Sequence, residues 1–128
     1  MRFMMMVKGD KDFEAGVPPS PELMSAMVKL TEDMTRAGVL LESGGLLPSS
    51  QGALVRVAGG KLTVVDGPFS ESKEVIGGYA IVRAGSKPEA IELGRAFMKL
   101  HVDVLGASYQ GEVEIRQMMD VGPDDARR

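Results

Sequence analysis

The sequence predicts an α+β fold in which two βαβ halves flank an extra β-hairpin. Short apolar or β-branched runs of strand length alternate with two longer segments whose apolar residues recur every three to four positions. The adjacent glycines Gly59 and Gly60 separate two strand-like runs, which indicates a tight hairpin turn. With 128 residues, of which 44% are hydrophobic and 26% charged, the chain has the size and composition of one globular domain.

The strands are predicted from runs of apolar and β-branched residues. Residues 3–7 are apolar at every position, which indicates a central strand covered on both faces. Residues 39–43 form a short second strand that the following glycines end, and residues 54–65 form the hairpin. Residues 75–82 contain two internal glycines, which permit a bulge or a close backbone approach. Residues 112–116 alternate strictly between polar and apolar, as a half-covered strand does.

Two helices are predicted, and each has a start signal. The first covers residues 21–37, with Ser20 as N-cap and Gly38 in the left-handed position after its end. The second begins at a capping box formed by Ser86 and Glu89. Residues at helical spacing predict the buried faces, namely Leu23, Met27, Leu30 and Met34 on the first helix and Ala90, Leu93, Phe97 and Leu100 on the second.

The remaining segments are predicted to be loops or tail. Residues 9–19 are rich in charge and glycine, and they are interpreted as a loop that either closes over a pocket or runs free. Residues 122–128 are polar and are interpreted as a frayed tail, so that residues 1–121 form the single domain.

This order of elements is that of a ferredoxin-like fold. Two helices can cover only one face of its four-stranded sheet, whereas residues 3–7 require cover on both faces. We therefore expect a second copy to pack sheet against sheet about a two-fold axis, forming a homodimer with the architecture of a dimeric α/β barrel. The alternative is a monomer whose hairpin, residues 54–65, folds across the exposed face.

The composition argues against several classes of partner and cofactor. A net charge of −3 with scattered lysines and arginines gives no footprint for nucleic acid. Without cysteine the chain has no disulfide or thiolate, and with a single histidine we expect no metal and no cofactor, although Glu112 and Glu114 could hold a hard cation. Residues 3–7 are too short for a signal peptide's hydrophobic region, and no segment approaches a membrane span, so we expect a cytoplasmic protein without a membrane partner.

One stretch between two predicted strands carries a resemblance to a known family. Asp66-Gly67-Pro68-Phe69 is followed in order by Ser70, Glu71, Lys73, Glu74, Gly77 and Gly78. Together with other segments along the chain, it resembles the signature of the YCII-related family, in its DGPF branch. Those other segments are Lys8-Gly9-Asp10, Glu14-Ala15-Gly16-Val17, Gly38-Val39-Leu40-Leu41, Leu46-Leu47-Pro48-Ser49-Ser50 and Gly111-Glu112-Val113-Glu114-Ile115-Arg116-Gln117.

The resemblance implies the dimeric α/β barrel but no particular reaction. Better studied members of the family pair a histidine near the first helix with an aspartate. Here the single histidine, His101, lies at the far end of the second helix. A transferred histidine–aspartate pair is therefore not supported by this sequence.

Asp66 and His101 are the candidate catalytic residues. The Asp66 carboxylate either caps the amides of its own turn or faces a cavity as a base. An unperturbed imidazole changes charge near physiological pH, so a histidine such as His101 could shuttle protons. At a helix C-terminus, however, it can equally satisfy free carbonyl groups and the helix macrodipole.

Arg116 and Glu114 are candidate ligand-binding residues on the last strand. If Val113 and Ile115 meet the helices, the alternation of the strand points Glu114 and Arg116 towards the barrel interior. There Arg116 could bind a carboxylate-bearing ligand in bidentate fashion, with Glu114 as its partner when the cavity is empty. The alternative is an edge strand whose charges face water.

Tyr79 and Ser49 complete the set of candidate ligand-binding residues. Tyr79, beside the paired glycines of its strand, either donates a hydrogen bond inside the same cavity or serves as a core aromatic. Ser49, after Pro48, either binds an anion or stabilises a turn.

Two hypotheses of function follow. The first is a metal-independent acid–base enzyme for a small molecule, with Asp66 or His101 as base and Arg116 as anion anchor, since some YCII-related proteins resemble lyases or dehydrochlorinases. The second is a non-catalytic dimeric module that senses a metabolite or serves a partner protein, because DGPF-type proteins are often encountered beside extracytoplasmic-function sigma factors. A third idea, a cofactor-free oxygenase, rests only on analogy with other dimeric α/β barrels that carry out this chemistry.

Overall fold

The computed structural model describes residues 1–69 and 75–119 as a mixed α+β structure. The motif residues Ser70, Glu71, Lys73 and Glu74 and the predicted tail 122–128 lie outside the described residues. The elements in chain order are β1 (Arg2–Lys8), α1 (Lys11–Glu14), α2 (Pro21–Arg36), β2 (Leu40–Gly45), a 3₁₀ turn (Ser49–Gln51), β3 (Ala53–Ala58), β4 (Lys61–Asp66), β5 (Ile76–Arg83), α3 (Lys87–Leu105) and β6 (Val113–Gln117).

The main sheet has four antiparallel strands in the order β2-β5-β1-β6, and β3 and β4 form a separate two-stranded sheet. This order is compatible with a ferredoxin-like fold, and the predicted α+β class is confirmed. β1 lies between β5 and β6, which is the central position predicted for residues 3–7. The hairpin lies between the two βαβ halves in the chain, as the sequence predicts.

The core lies on one face of the main sheet, beneath α2 and α3. Alternate residues of β1 point to opposite faces. Phe3 and Met5 point towards the helices and are 2% and 4% exposed, whereas Met4 and Met6 point the other way and are only partly buried. Three other residues complete the buried core, namely Val82, Ala84 and Ala90. Val113 and Ile115 pack against that core, as the alternation of β6 predicts.

The hairpin stands apart from the main sheet. Its turn residues Gly59 and Gly60 have φ angles of 57° and 76°, in the left-handed region that the sequence requires of them. Every residue of β3 and β4 is exposed. The hairpin therefore does not fold across the sheet, and it does not supply the cover that the monomeric alternative requires.

Two predictions of local structure are wrong. The segment predicted as a loop over residues 9–19 contains α1, because Asp10 caps a helical turn by accepting a hydrogen bond from the Phe13 N–H at 2.8 Å. β2 was expected to end before its glycines, yet it continues through Gly44 and Gly45, because pairing with β5 holds both glycines in the sheet.

The internal glycines of β5 form the predicted bulge. Val7 pairs with Gly78 while Lys8 pairs with Ile76, so Gly77 is the extra residue on β5. A Cβ atom on Gly78 would lie 3.2 Å from the Gly44 carbonyl oxygen, which is tighter than ordinary contact. β2 therefore approaches β5 closely at this point.

We predict that Gly94, where α3 crosses β6, resists substitution by alanine. A Cβ atom there would lie 2.7 Å from Ile115 Cδ1. Gly94→Ala should lower the free energy of unfolding by about 1–3 kcal/mol through overpacking, even though alanine favours a helix by about 0.5–1 kcal/mol over glycine.

Ile115→Val removes the obstructing Cδ1 atom and serves as the matched background. Urea unfolding of the wild type, of both single variants and of the double variant measures the free energy of unfolding. Gly94→Ala should lower this free energy by less in the Ile115→Val background than in the wild type. Strictly additive costs would contradict this account of the α3–β6 contact.

Candidate functional site

The face of the main sheet opposite the helices carries charged residues around an apolar centre. Residues directly opposite each other on antiparallel strands share a face. Met4 pairs with Ile81 and Arg116, and Met6 pairs with Tyr79 and Glu114. We call this surface the open face and define it by eight residues: Met4, Met6, Lys8, Glu42, Tyr79, Ile81, Glu114 and Arg116.

Glu114 connects two cations on the open face. Its Oε1 atom lies 3.2 Å from Lys8 Nζ, and its Oε2 atom lies 3.7 Å from Arg116 Nη1. The Arg116 side chain is 73% exposed, so its pair with Glu114 is screened by water and contributes little stability. The guanidinium therefore lies largely in water on the edge strand β6, where its planar fork of donors is accessible.

Tyr79 and Glu42 form a second polar pair on the open face. Tyr79 Oη donates a hydrogen bond to Glu42 Oε2 at 2.9 Å. The pKa of the Tyr79 phenol is raised, mainly by this hydrogen bond and to a smaller extent by the negative charge of Glu42. Tyr79 is thus a neutral hydrogen-bond donor at physiological pH, and its donor is directed at a carboxylate.

Ser49 lies away from the open face, in a partly buried set of hydrogen bonds that we call the clamp, formed by Glu14, Ser49 and Phe69. The Ser49 N–H donates to Glu14 Oε1 at 2.8 Å, and the Ser49 hydroxyl donates to Glu14 Oε2. The same hydroxyl accepts from the Phe69 N–H at 3.1 Å. Ser49 is 6% exposed. The clamp joins α1, the 3₁₀ turn and the segment after β4, and it occupies the polar groups of Ser49 inside the chain.

The motif segment 66–69 packs tightly against the clamp. A Cβ atom on Gly67 would lie 1.7 Å from the Ser49 carbonyl oxygen, so no side chain fits at this position. The Gly67 N–H donates to the Gly52 carbonyl at 3.0 Å, and the Gly67–Pro68 peptide bond is cis. Asp66, the last residue of β4, is exposed. Within the described part of the motif, the requirement for Gly67 is one of backbone packing.

His101 is buried on α3, with 6% exposure. Its Nδ1 atom lies 2.8 Å from the Phe97 carbonyl oxygen, and because a carbonyl only accepts, Nδ1 carries the proton. The ring lies 4.5 Å from the Phe97 ring and 5.3 Å from the Tyr109 ring, centroid to centroid. The pKa of the Tyr109 phenol is raised, mainly by burial and to a smaller extent by the negative charge of Asp10. His101 thus contacts a carbonyl four residues back within α3, not one of the free carbonyl groups at the end of the helix.

Three of the six predicted site residues come together, because Tyr79, Glu114 and Arg116 share the open face. Ser49 belongs to the clamp, and Asp66 lies at the end of the hairpin. His101 lies on α3, across the sheet from Arg116. A single chain therefore does not assemble the predicted constellation of an Asp66 or His101 base with an Arg116 anchor.

Sequence reasoning missed two polar residues of the open face. Lys8 continues the alternation of Met4 and Met6 along β1, so the parity of the strand could have identified it. Glu42 reaches Tyr79 through the register between β2 and β5, which no local pattern reveals.

Within residues 1–69 and 75–119, no cluster of three or more histidine, cysteine, aspartate or glutamate side chains is arranged to hold a metal ion. The helices of the same ranges are too short or too polar to span a membrane.

We predict that Glu42 controls the titration of Tyr79. In a Tyr109→Phe background, Tyr79 is the remaining tyrosine, and its phenol absorbance should titrate above the usual value of about pH 10. Because the raised pKa belongs to the folded state, the contact stabilises the fold below about pH 10 and this stabilisation is lost as pH rises through the folded pKa. In this background Glu42→Ala should lower the pH midpoint of the phenol titration, whereas the control Glu32→Ala on α2 should not. Equal midpoints in the background protein and in both variants would show that Glu42 does not act on Tyr79.

We predict that the clamp stabilises the fold. Ser49→Ala leaves the partly buried Phe69 N–H without its acceptor, so it should lower the free energy of unfolding by about 1–2 kcal/mol. Ser50→Ala, at the exposed neighbouring position, is the matched control and should change it by less than about 0.5 kcal/mol. Urea denaturation measures both, and equal stability of the two variants would show that the clamp contributes nothing.

Comparison with known proteins places the chain in a family. The YCII-related domain family matches residues 1–101. An uncharacterised protein of Rhizobium meliloti (strain 1021) is 36% identical over 59 residues, which cover 46% of this chain and 48% of that protein. The matched region thus spans about half the length of this curated relative. Because the family match extends over most of the chain, the protein belongs to the YCII-related family.

Proposed function

We propose that the protein is a homodimeric small-molecule-binding domain of the DGPF branch, in which the open faces of two copies enclose a shared chamber. One observation carries this proposal. The central strand β1 directs Met4 and Met6 to a face that the chain itself leaves open, while Phe3 and Met5 are buried on the other face. A central strand that is apolar on both faces is typical of a sheet covered on both sides.

A second copy is the simplest cover for the open face. A two-fold axis brings identical surfaces together, so the surface must complement itself. The open face has an apolar centre of Met4, Met6 and Ile81 with charged residues around it, which resembles the apolar core and polar rim of protein interfaces. Glu114 and Arg116 carry opposite charges, so each could pair with its counterpart on the partner.

A small anionic molecule is the ligand class that we propose for the chamber. The exposed guanidinium of Arg116 can bind a carboxylate with two parallel hydrogen bonds. Tyr79 offers a neutral donor on the same face, now directed at Glu42. In the empty chamber Glu114 partly neutralises Arg116, and a ligand carboxylate would take over that role.

An acid–base reaction in the same chamber is a second candidate function, and one contact favours it. Tyr79 and Glu42 form a hydrogen-bonded donor–acceptor pair at 2.9 Å on the open face. This pair would take the role first assigned to Asp66 or His101, because those residues lie away from Arg116. Substrate binding by Arg116 would precede any proton transfer in this scheme.

A non-catalytic accessory module, with a link to sigma-factor regulation, is the remaining alternative. The hairpin favours it, because one face of β3 and β4 carries four apolar side chains that are 67–73% exposed. Exposed apolar patches of this kind mark protein interaction sites. The four residues are Val55, Val57, Leu62 and Val64.

We predict that a charge on the open face dissociates the dimer. Met6→Lys should weaken dimerisation by about a hundredfold or more, because it brings a buried charge and its two-fold copy into the interface. The monomer should remain folded by circular dichroism, since Met6 is partly exposed in a single chain. Val28→Lys, at a 53% exposed position on α2, is the control and should remain dimeric in sedimentation equilibrium. A monomeric wild type at micromolar concentration would overturn the dimer.

We predict that carboxylates raise the melting temperature through Arg116. Benzoate, phthalate and citrate form the test panel, and at least one should stabilise the wild type, because a ligand that binds only the folded state raises its melting temperature. Arg116→Lys keeps the charge but loses the planar fork, so it should weaken the shift, and Arg95→Lys on α3 should not. If no carboxylate stabilises the wild type, the accessory module becomes the better account.

A further inference from the structure

A separate cavity lies on the covered side of the main sheet, between α2, α3 and the strands. Its volume is about 280 Å³. Methionine, leucine and phenylalanine side chains form much of its wall, and among the described residues no charged side chain lines it. Its wall includes the apolar residues Met5, Met27, Leu30, Met34, Ala80 and Phe97.

The cavity exists because α2 packs loosely. Leu23 is the buried residue of this helix, at 7% exposure. Met27, Leu30 and Met34 follow it at helical spacing and were predicted to be buried, yet each is only partly buried. The sheet-facing stripe of α2 is therefore present in the sequence, but its side chains do not fill the space above the sheet.

This apolar space is partly open to solvent, because Thr31, Ser43 and Gly44 in its wall are exposed, but its inner part extends into the core. Protein interiors pack as densely as organic crystals, with few voids larger than a water molecule. Water gains little in an apolar cavity, because it finds few hydrogen-bond partners there. A cavity of about 150 Å³ lined by apolar side chains stays dry and binds benzene. The cavity under α2 is larger than that, and its opening gives an apolar guest a way in.

We propose that this cavity binds a neutral aromatic molecule of about two fused rings, on the side of the main sheet opposite Arg116; Tyr79 is the one residue that both lines the cavity and belongs to the open face. Its size sets the upper limit on the guest, at roughly twice the volume that accommodates one benzene ring. Met5, Met27 and Met34 favour an aromatic guest, because flexible thioethers adapt to its outline and sulfur makes favourable contacts with aromatic rings. Phe97 adds a ring for edge-to-face or offset stacking.

The polar content of the wall further narrows the class of ligand. Thr31 and Ser43 contribute hydroxyl groups, which can satisfy one hydroxyl on the guest. A carboxylate would enter without a cationic partner and would pay a large desolvation penalty. The cavity should therefore prefer 2-naphthol or naphthalene over 2-naphthoate, whereas the open face with Arg116 should show the reverse preference.

Isothermal titration calorimetry with 2-naphthol tests the proposal, with a cavity-filling variant and a matched control. Ala80 lies on β5 in the cavity wall, and Ala80→Leu places three additional carbons in the cavity. Ala96→Leu makes the same change at an exposed position of α3. We expect Ala80→Leu to weaken binding about tenfold or more by occupying the space, and Ala96→Leu and Arg116→Lys to leave it unchanged.

The melting temperature of each unliganded variant reports whether it folds. Because the leucine fills empty space, the melting temperature of Ala80→Leu should equal or exceed that of the wild type. If this variant does not fold, ¹³C-methyl methionine spectra of the wild type provide the test. On addition of 2-naphthol the Met27 and Met34 methyl signals should shift, while that of Met24, 45% exposed on the same helix, should not.

Three outcomes would overturn the proposal. They are the absence of 2-naphthol binding to the wild type, unchanged affinity in a folded Ala80→Leu variant, and methionine shifts confined to Met4 and Met6. The last would place the guest on the open face instead. Loss of dimerisation or of carboxylate binding would leave this proposal standing, because the cavity lies within one chain on the other side of the sheet.

Discussion

The rest of the structure depends on the double-sided apolar character of β1 in a sheet that has helices on one side only. Burial of Phe3 and Met5 under α2 and α3 supplies the core, and each fully buried side chain of this size contributes about 1.5–3 kcal/mol. Met4 and Met6 point to the open face and are only partly buried. The same strand therefore completes the covered core and leaves apolar side chains on a face that the chain itself does not cover.

The clamp gives a structural reason for the ordered residues that mark the family resemblance. Glu14, Ser49 and Phe69 come from three separate resembling segments, and their hydrogen bonds tie those segments together. Gly67 lies so close to the Ser49 carbonyl that any side chain would collide with it. These contacts give residues of the family resemblance a structural role in this chain and do not point to a reaction.

Most of the fold could be predicted because strand and helix periodicities are local properties of the chain. The central place of residues 3–7, the glycine turn of the hairpin and the caps of α2 and α3 all follow from neighbouring residues. The short helix α1 was missed, because a single turn gives too few positions for periodicity to emerge. The extension of β2 through its glycines was missed as well, since pairing with β5 overrides their low strand propensity.

The candidate site was only partly predictable. Alternation along β6 places Glu114 and Arg116 together on the face away from the helices, and both do lie there. The contact of Ser49 with Glu14 spans 35 positions in the chain, and no pattern of nearby residues encodes it. The cavity under α2 was unpredictable for a related reason. A helical stripe shows which residues turn inward, but it does not show how far the helix stands above the sheet.

Solvent exposure of the methionine methyl groups tests the central claim most directly. The methyl groups are labelled with ¹³C, and a soluble paramagnetic agent enhances the relaxation of those that solvent can reach. If a partner covers the open face, the enhancement for Met4 and Met6 should be small, close to that of the buried Met5. Met24 provides the exposed reference. If Met4 and Met6 relax as fast as Met24 at micromolar protein concentration, nothing covers the open face and the proposed shared chamber does not exist.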